Sequence, residues 1–435
     1  MFILSANWVR RSFGLGASLL LLSACTGFAP HRTEAGAVCQ LTAEGRPTAP
    51  GCERAGVETS PNFELSVVEL TDQGWLQSRD QLKKALALTQ ARPEDTGPVQ
   101  VVLFVHGWQH SGAFDDANVR MFREAILPGF ALSGKQRGLR TVGIYVGWRG
   151  ESIALAGLTN ITFYDRKATA EHVARGSIRE LISHLRARQD GSTGAARAHV
   201  TLIGHSFGGL IVYNAIAESL LDSLVRSAPG QPAKPIVDLA LVLNPAFEAS
   251  RFEPLFQAAM ARPVPDSTGR PIFVSITSSD DSATATAFPL GRKINSLFDH
   301  EGWVEDDQCP DPGPSAPAAP RRAWEECPGF DRGLRLEKMA NTHTLGHLPR
   351  YATHELALAA DQSVVCRALA ASARPATVAP VNWPSSPSPR NRFPLWTVRT
   401  GAEVIKGHSG IYQPGLWQFL VRLAQPTANI DALCP

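Results

Sequence analysis

The chain has 435 residues, of which 44% are hydrophobic, and its formal net charge is +2. This length fits one large domain with insertions or two modest domains, and the apolar content is enough for a sizeable core. Because the basic residues are dispersed, the sequence indicates no nucleic-acid-binding surface, and we expect no nucleic-acid partner.

Residues 1–24 have the pattern of a signal peptide for export. Arg10 and Arg11 precede an apolar run from Phe13 to Leu22, which is too short to span a bilayer. The run ends in Leu22-Ser23-Ala24-Cys25, which resembles the lipobox of bacterial lipoproteins. This resemblance implies a lipid on Cys25 that anchors the protein to a membrane of the bacterial cell envelope, facing the periplasm or the outside, with the outer membrane favoured. An ordinary secretory signal is the alternative.

Cysteines downstream of Cys25 are even in number, which in an exported chain is consistent with disulfides. We predict three pairs, two of them between cysteines close in the chain: Cys39–Cys52, Cys309–Cys327 and Cys366–Cys434. Residues 25–60 are polar and show no sustained period, so we interpret them as a tether with a small disulfide loop. The main domain is then expected to cover residues 61–435.

Strand-like and helix-like segments alternate from residue 65 to the end of the chain. Short apolar runs, typical of strands in parallel sheets, predict strands at 65–70, 99–105, 141–146, 200–203, 237–243, 272–276 and 395–398. Apolar residues at helical spacing predict helices at 75–90, 117–130, 167–188, 210–227 and 416–423. This alternation predicts an α/β fold with a doubly wound, mainly parallel sheet. The alternation lapses between about 282 and 390, which we interpret as an insertion late in the chain.

A serine stands at the centre of this pattern, in Gly204-His205-Ser206-Phe207-Gly208, between an apolar strand and a helix. Strand, sharp turn and helix in this order are typical of a nucleophile elbow, where the serine occupies a strained turn. Neighbouring backbone packs closely around such a turn, which explains the glycines on either side of the serine. Ser206 is therefore the predicted nucleophile.

A serine hydroxyl needs a base within hydrogen-bond reach, usually a histidine that a buried carboxylate holds in one tautomer. In elbow-type hydrolases the acid follows a later strand and the histidine lies in a late loop. Asp280 and Asp281 follow the strand at 272–276, and we predict Asp281 as the acid with Asp280 as the alternative. His408 lies between the last predicted strand and the last helix, and it is the predicted base.

Three further histidines, His343, His347 and His354, offer another interpretation. His343 is an alternative base, and His343 and His347 are four residues apart, with Glu355 following, so a metal site is conceivable. A glycine and a proline in this stretch disfavour the helix that would place both ligands on one face. We therefore expect neither a metal nor another cofactor.

Two backbone N–H groups are predicted to stabilise the negative charge of a tetrahedral intermediate. One belongs to Phe207, directly after the nucleophile, and the other to Trp108, in the turn after the strand at 99–105. His205 and His106 lie beside these groups in the chain and are expected to pack or to brace the turns.

Taken together, Phe104-Val105-His106-Gly107-Trp108, the elbow from Gly204 to Gly209, and Gly407-His408 resemble the esterase/lipase branch of the α/β-hydrolase superfamily. The resemblance extends from about residue 65 to the end of the chain. It implies the α/β-hydrolase fold and a serine hydrolase that cleaves carboxylic esters through an acyl-enzyme.

The expected partner is a small-molecule or lipid ester. A lipase or phospholipase that acts on membrane lipids is the nearest alternative, followed by an amidase or peptidase and by a non-catalytic envelope binding module. The insertion departs from the family pattern. Within it, residues 303–327 fit either a lid over the site or a solvated loop.

Overall fold

The computed structural model describes residues 29–150, 159–190, 197–227, 236–261, 270–295, 340–348, 351–369 and 393–434. These residues form an α/β fold in which helices flank a mixed, mostly parallel sheet of eleven strands. The signal peptide with Cys25, the predicted pair Cys309–Cys327 and the candidate lid at 303–327 lie outside the described residues.

The strands in chain order are β1 (Glu34–Gln40), β2 (Ala55–Thr59), β3 (Phe63–Glu69), β4 (Val99–Val105), β5 (Arg140–Gly147), β6 (Ala198–His205), β7 (Leu239–Leu243), β8 (Phe273–Ser278), β9 (His354–Leu358), β10 (Val364–Ala368) and β11 (Leu395–Thr400). Across the sheet their order is β1-β2-β3-β5-β4-β6-β7-β8-β11-β9-β10. Neighbours from β3 to β9 in this order run parallel, as do β1 and β2. Antiparallel pairing occurs between β2 and β3 and between β9 and β10. The mainly parallel sheet is therefore confirmed.

The helices are α1 (Arg79–Leu88), α2 (Ala117–Met121), α3 (Leu127–Lys135), α4 (Thr159–Arg175), α5 (Ile178–Asp190), α6 (Phe207–Arg226), α7 (Glu253–Met260), α8 (Phe288–Asn295), α9 (Pro414–Leu423) and α10 (Ile430–Leu433). One π-helical turn (Phe122–Ile126) joins α2 to α3, and another (Ala283–Ala287) precedes α8. Short 3₁₀ turns occur at Ala249–Phe252 and Leu345–His347.

The sheet carries a hydrophobic core on each face. One core contains apolar residues of α1, α4, α5, α6 and α7, and the other contains residues of α2, α3, α9 and α10. Every residue of β4 is buried, which explains why all of its residues except Gln100 are apolar. Among the described residues, α6 is the helix long and apolar enough to cross a membrane, and half of it is buried in the fold.

The single helix predicted at 167–188 was wrong, because the structure has two helices, α4 and α5, divided near Gly176. The carbonyl of Gly74 accepts a hydrogen bond of 2.7 Å from the Ser177 N–H, and a side chain on Gly176 would overlap Gly74. Buried apolar residues continue at helical spacing across the break, at Ala174 and Ile178. Periodicity alone therefore does not reveal the division.

The N-terminal segment is not a simple tether, because it contributes β1 and β2 to one edge of the sheet. Exposed and half-buried residues alternate along most of β1, so its small apolar residues bury little surface. It is held instead by the predicted disulfide Cys39–Cys52. The folded unit thus extends upstream of residue 61.

The region from 282 to 390 is not wholly an excursion from the sheet. Its hairpin of β9 and β10 extends the sheet beside β11. The predicted disulfide Cys366–Cys434 joins β10 to the end of the chain. Two of the three predicted pairs are therefore confirmed.

Candidate active site

Ser206 lies between the end of β6 and the start of α6, with φ 56° and ψ −120°. A positive φ is uncommon outside glycine and marks a strained turn. A side chain on Gly204 would overlap the carbonyl oxygen of Gly208, and one on Gly208 would overlap that of Val105. The turn is therefore possible only with glycine at both positions.

His408 lies between β11 and α9, where it reaches both Ser206 and Asp281. Its Nε2 is 2.7 Å from Ser206 Oγ, and its Nδ1 is 2.8 Å from Asp281 Oδ2. Gly407, directly before it, has φ +63°, a conformation that glycine adopts without strain. The structure thus brings together the three residues that the sequence singles out as nucleophile, base and acid.

Asp281 is fully buried, and both of its carboxylate oxygens accept hydrogen bonds. Oδ1 accepts from the N–H groups of Ala283 (3.1 Å) and Thr284 (3.2 Å), while Oδ2 faces His408 and accepts from the Thr284 hydroxyl. Burial by itself raises the pKa of the Asp281 carboxyl, but the hydrogen bond and charge of His408 and the bonds from Thr284 outweigh it. The pKa of Asp281 is lowered overall, so the group is a carboxylate at neutral pH.

Asp280, the alternative acid, has a different place. Its Oδ2 accepts a 2.9 Å hydrogen bond from the backbone N–H of Gly407, so it contacts the chain beside His408 and not the imidazole. The adjacent carboxylates therefore hold the histidine segment at two different points.

Asn244 was not predicted, yet it secures the segment that carries His408. Its side-chain amide donates to the carbonyl of His408 (2.9 Å) and lies 3.2 Å from that of Gly407. Its Oδ1 accepts from the N–H of Ser278 (2.9 Å), at the end of β8. The sequence signal that could have found Asn244 is its place directly after the buried β7, because the carboxyl ends of parallel strands lie at one edge of a sheet, where sites form.

His205 and His106, expected to brace turns, are both buried neutral groups. His205 Nε2 lies 3.0 Å from the carbonyl of His408, and burial lowers the pKa of His205 to about 3. His106 Nε2 accepts from the backbone N–H of Trp148 (3.0 Å), and burial lowers the pKa of His106 to about 4. Their contacts support the backbone around Ser206.

The two segments with the predicted oxyanion donors both lie beside Ser206. Phe207 begins α6, and N–H groups of a first helical turn point out of the helix end. On the other side, a Cβ built on Gly107 would lie only 2.7 Å from the Cβ of Ser206, so the turn before Trp108 packs directly against the serine.

The histidines of the alternative metal site have separate contacts. His343 Nδ1 is 3.0 Å from Thr342 Oγ1, His347 Nε2 is 2.9 Å from Thr284 Oγ1, and the ring of His354 packs on Trp396. In the described ranges, no group of three or more His, Cys, Asp or Glu residues could hold a metal ion. His347 nevertheless lies one residue away from Asp281 in the hydrogen-bond network, through Thr284, and the sequence around His347 did not indicate this position.

A scan of the chain against models of known protein families gave no match, and a search of curated proteins also found no matching sequence. Inferences about function consequently depend on the geometry around Ser206.

Proposed function

We propose that this protein is a serine hydrolase with the α/β-hydrolase fold that cleaves carboxylic esters through an acyl-enzyme. The observation that carries the proposal is the continuous hydrogen-bond chain from Ser206 through His408 to Asp281, with distances of 2.7 and 2.8 Å. The order Ser, Asp, His along the chain and the strained conformation of Ser206 also support it.

The roles follow from the protonation states. Since Asp281 is a carboxylate that accepts from His408 Nδ1, the opposite ring nitrogen can accept the proton of Ser206 as its oxygen attacks the ester carbonyl. Asp281 then stabilises the resulting imidazolium, and His408 passes the proton to the leaving alcohol. Water hydrolyses the acyl-enzyme by the same proton route in a second step.

Charge on the carbonyl oxygen develops in the tetrahedral intermediate. We assign its stabilisation to the backbone N–H groups of Phe207 and Trp108, which belong to the two segments that pack around Ser206. This chemistry is complete with side chains and backbone, so the proposal includes no metal or cofactor.

Replacing Ser206 with alanine tests the proposal. We expect the wild type to be labelled covalently by a fluorophosphonate probe and to hydrolyse a p-nitrophenyl ester, whereas S206A is not labelled and loses roughly 10⁴- to 10⁶-fold in kcat. S363A, which alters an exposed serine in the turn between β9 and β10, is the control and should behave as the wild type. Equal labelling of wild type and S206A would exclude Ser206 as the nucleophile, and no labelling of either would favour a binding module.

The lipobox-like sequence at 22–25 supports a second part of the proposal, which is attachment to the bacterial envelope through a lipid on Cys25. We expect C25A to appear in the soluble fraction, because acyl chains contribute about 0.8 kcal/mol for each buried methylene and several chains are needed for stable anchoring. T26A, with the cysteine retained, should stay with the membrane. Membrane-bound C25A would contradict the anchor.

Because an anchored enzyme stays at a lipid surface, esters of membrane lipids are the second candidate substrate class. A series of p-nitrophenyl esters with increasing acyl length separates the two classes. Preference for short soluble esters without activation by vesicles indicates an esterase, and the reverse preference indicates a lipase. Cleavage of anilides in place of esters would indicate an amidase.

A further inference from the structure

The hydrogen-bond chain at the site continues beyond Asp281 to two residues that the proposed reaction does not use. Thr284 Oγ1 donates to Asp281 Oδ2 at 2.6 Å, and His347 Nε2 lies 2.9 Å from the same threonine oxygen. Thr284 is buried in the π-helical turn at Ala283–Ala287, a kind of turn that is frequent at functional sites. The chain therefore runs from Ser206 to His347 without a gap.

The direction of each of these hydrogen bonds is determined. Asp281 is a carboxylate and can only accept, so the single hydroxyl proton of Thr284 is directed at it. The threonine oxygen must then accept from His347, which requires a proton on Nε2. Burial lowers the pKa of His347 to about 4, so at neutral pH the ring is neutral with its proton on that nitrogen. The ionisable groups whose charges reach it are Asp281, Arg399 and His343.

The segment that carries His347 is fixed from several sides. Its 3₁₀ turn closes with a 3.1 Å bond from the His347 N–H to the Thr344 carbonyl. The neighbouring Gly346 packs so closely on Thr277 of β8 that a side chain would overlap it, and Leu345 is fully buried. His347 is thus presented to Thr284 by a segment that is tied to the sheet.

We propose that His347 is a positioning residue of the reaction, which holds the Thr284 hydroxyl on Asp281 and so keeps Oδ2 in line with His408 Nδ1. The inference rests on the proposed serine hydrolase function. Without the hydroxyl, the backbone N–H groups of Ala283 and Thr284 still hold Oδ1, but Oδ2 has only His408 as a partner. The carboxylate can then rotate, and the imidazole loses its fixed orientation.

Kinetics of substitutions in the full chain test this role. H347F and T284V should each lower kcat about tenfold with KM little changed, because the interaction matters for the transition state and not for substrate binding. The double variant should be no slower than the slower single variant, since both substitutions break one chain. H347Q places an amide N–H near the position of Nε2 and should recover to within about threefold of wild type. H343F, at the nearby histidine, is the control and should retain wild-type kcat.

A second readout separates positioning from a merely structural role. The far-downfield proton resonance of the hydrogen bond between His408 and Asp281 should shift in H347F and T284V and return in H347Q. If H347F does not fold, comparing kcat of H347Q with kcat of H347N tests the positioning role instead, because only the longer amide of glutamine can reach Thr284. Equal activity of these two variants, or an unmoved resonance in T284V, would overturn the positioning role.

Failure of this inference is distinguishable from failure of the proposed function. If S206A hydrolyses the ester as fast as wild type, the hydrolase proposal itself is wrong. If S206A is inactive while H347F and T284V keep full kcat, only the positioning role is wrong.

Discussion

Replacing Asp281 with asparagine is expected to lower kcat for ester hydrolysis by roughly 10⁴-fold. Oδ2 of Asp281 accepts from His408 Nδ1 at 2.8 Å, which leaves Nε2 without a proton and ready to accept that of Ser206. An asparagine that keeps the two backbone hydrogen bonds of Oδ1 places its NH2 group where Oδ2 was, so it presents an N–H to Nδ1 and can no longer accept from the Thr284 hydroxyl. The imidazole then carries its proton on Nε2 and cannot act as the base. Steady-state kinetics with a p-nitrophenyl ester measure this loss.

The adjacent carboxylate provides the matched control. Asp280 accepts only the N–H of Gly407 within this segment, and an asparagine oxygen can accept the same bond, so we expect D280N to keep kcat within about threefold. Both variants should retain the thermal stability of a folded chain, which checks that D281N fails in chemistry and not in folding. An equal loss in D280N and D281N, or a larger loss in D280N, would contradict the assignment of Asp281 as the acid.

The parts of the fold that sequence predicts well are those with a strong local signal. β7 is buried on both faces and therefore appears as an unbroken apolar run, and β4 is apolar apart from Gln100. The elbow is recognisable because glycine is required at fixed positions around Ser206. Asp281 and His408 could be located because carboxyl ends of successive parallel strands meet at one edge of the sheet.

The remaining features depend on contacts between distant parts of the chain. Thr284 and His347 are 63 residues apart in sequence, and neither stands in a pattern that requires the other. Asn244 reaches the carbonyl of His408 across 164 residues. Such long-range hydrogen bonds do not affect the periodicity or spacing of residues in the sequence. A single sequence can therefore indicate which residues lie at the ends of the strands, but not the hydrogen-bond network that orients them.

The N-terminal strands were missed for a related reason, because a disulfide, together with buried ion pairs between residues distant in the chain, helps to tie them to the fold. Arg32, just before β1, places its guanidinium 2.9 Å from Glu58 on β2, and its Nε donates to the carbonyl of Gly112 in the segment after β4. Arg123, in the turn after α2, lies 3.2 Å from the other oxygen of Glu58. Isolated charged residues such as Arg32, Glu58 and Arg123 are usually solvated, yet all three side chains are at least 98% buried.

Replacing Glu58 with glutamine should therefore lower the free energy of unfolding by about 3–5 kcal/mol. The substitution removes the carboxylate that the buried Arg32 and Arg123 share and leaves Arg123 with the pair to the partly exposed Glu124, 3.4 Å away. The cost of a poorly compensated buried charge exceeds that of a lost surface pair. The ring of Phe114, which lies 4.2 Å from the Arg123 guanidinium carbon and 5.1 Å from that of Arg32, offsets only part of this cost. Urea denaturation of wild type and E58Q measures this difference in the free energy of unfolding, and we expect the slope of that free energy against urea concentration to be the same for both.

A matched pair on the neighbouring strand isolates the effect of burial. Glu34, at the start of β1, lies 4.0 Å from Arg54, but 57% and 71% of the two side chains are exposed. Water and salt screen such a pair, so E34Q should change the free energy of unfolding by less than about 0.5 kcal/mol. If E58Q costs no more than E34Q, the buried charges do not stabilise this edge of the sheet. Because Arg32 also binds the carbonyl of Gly112, a large loss in E58Q should extend to the segment after β4, where hydrogen exchange would become faster.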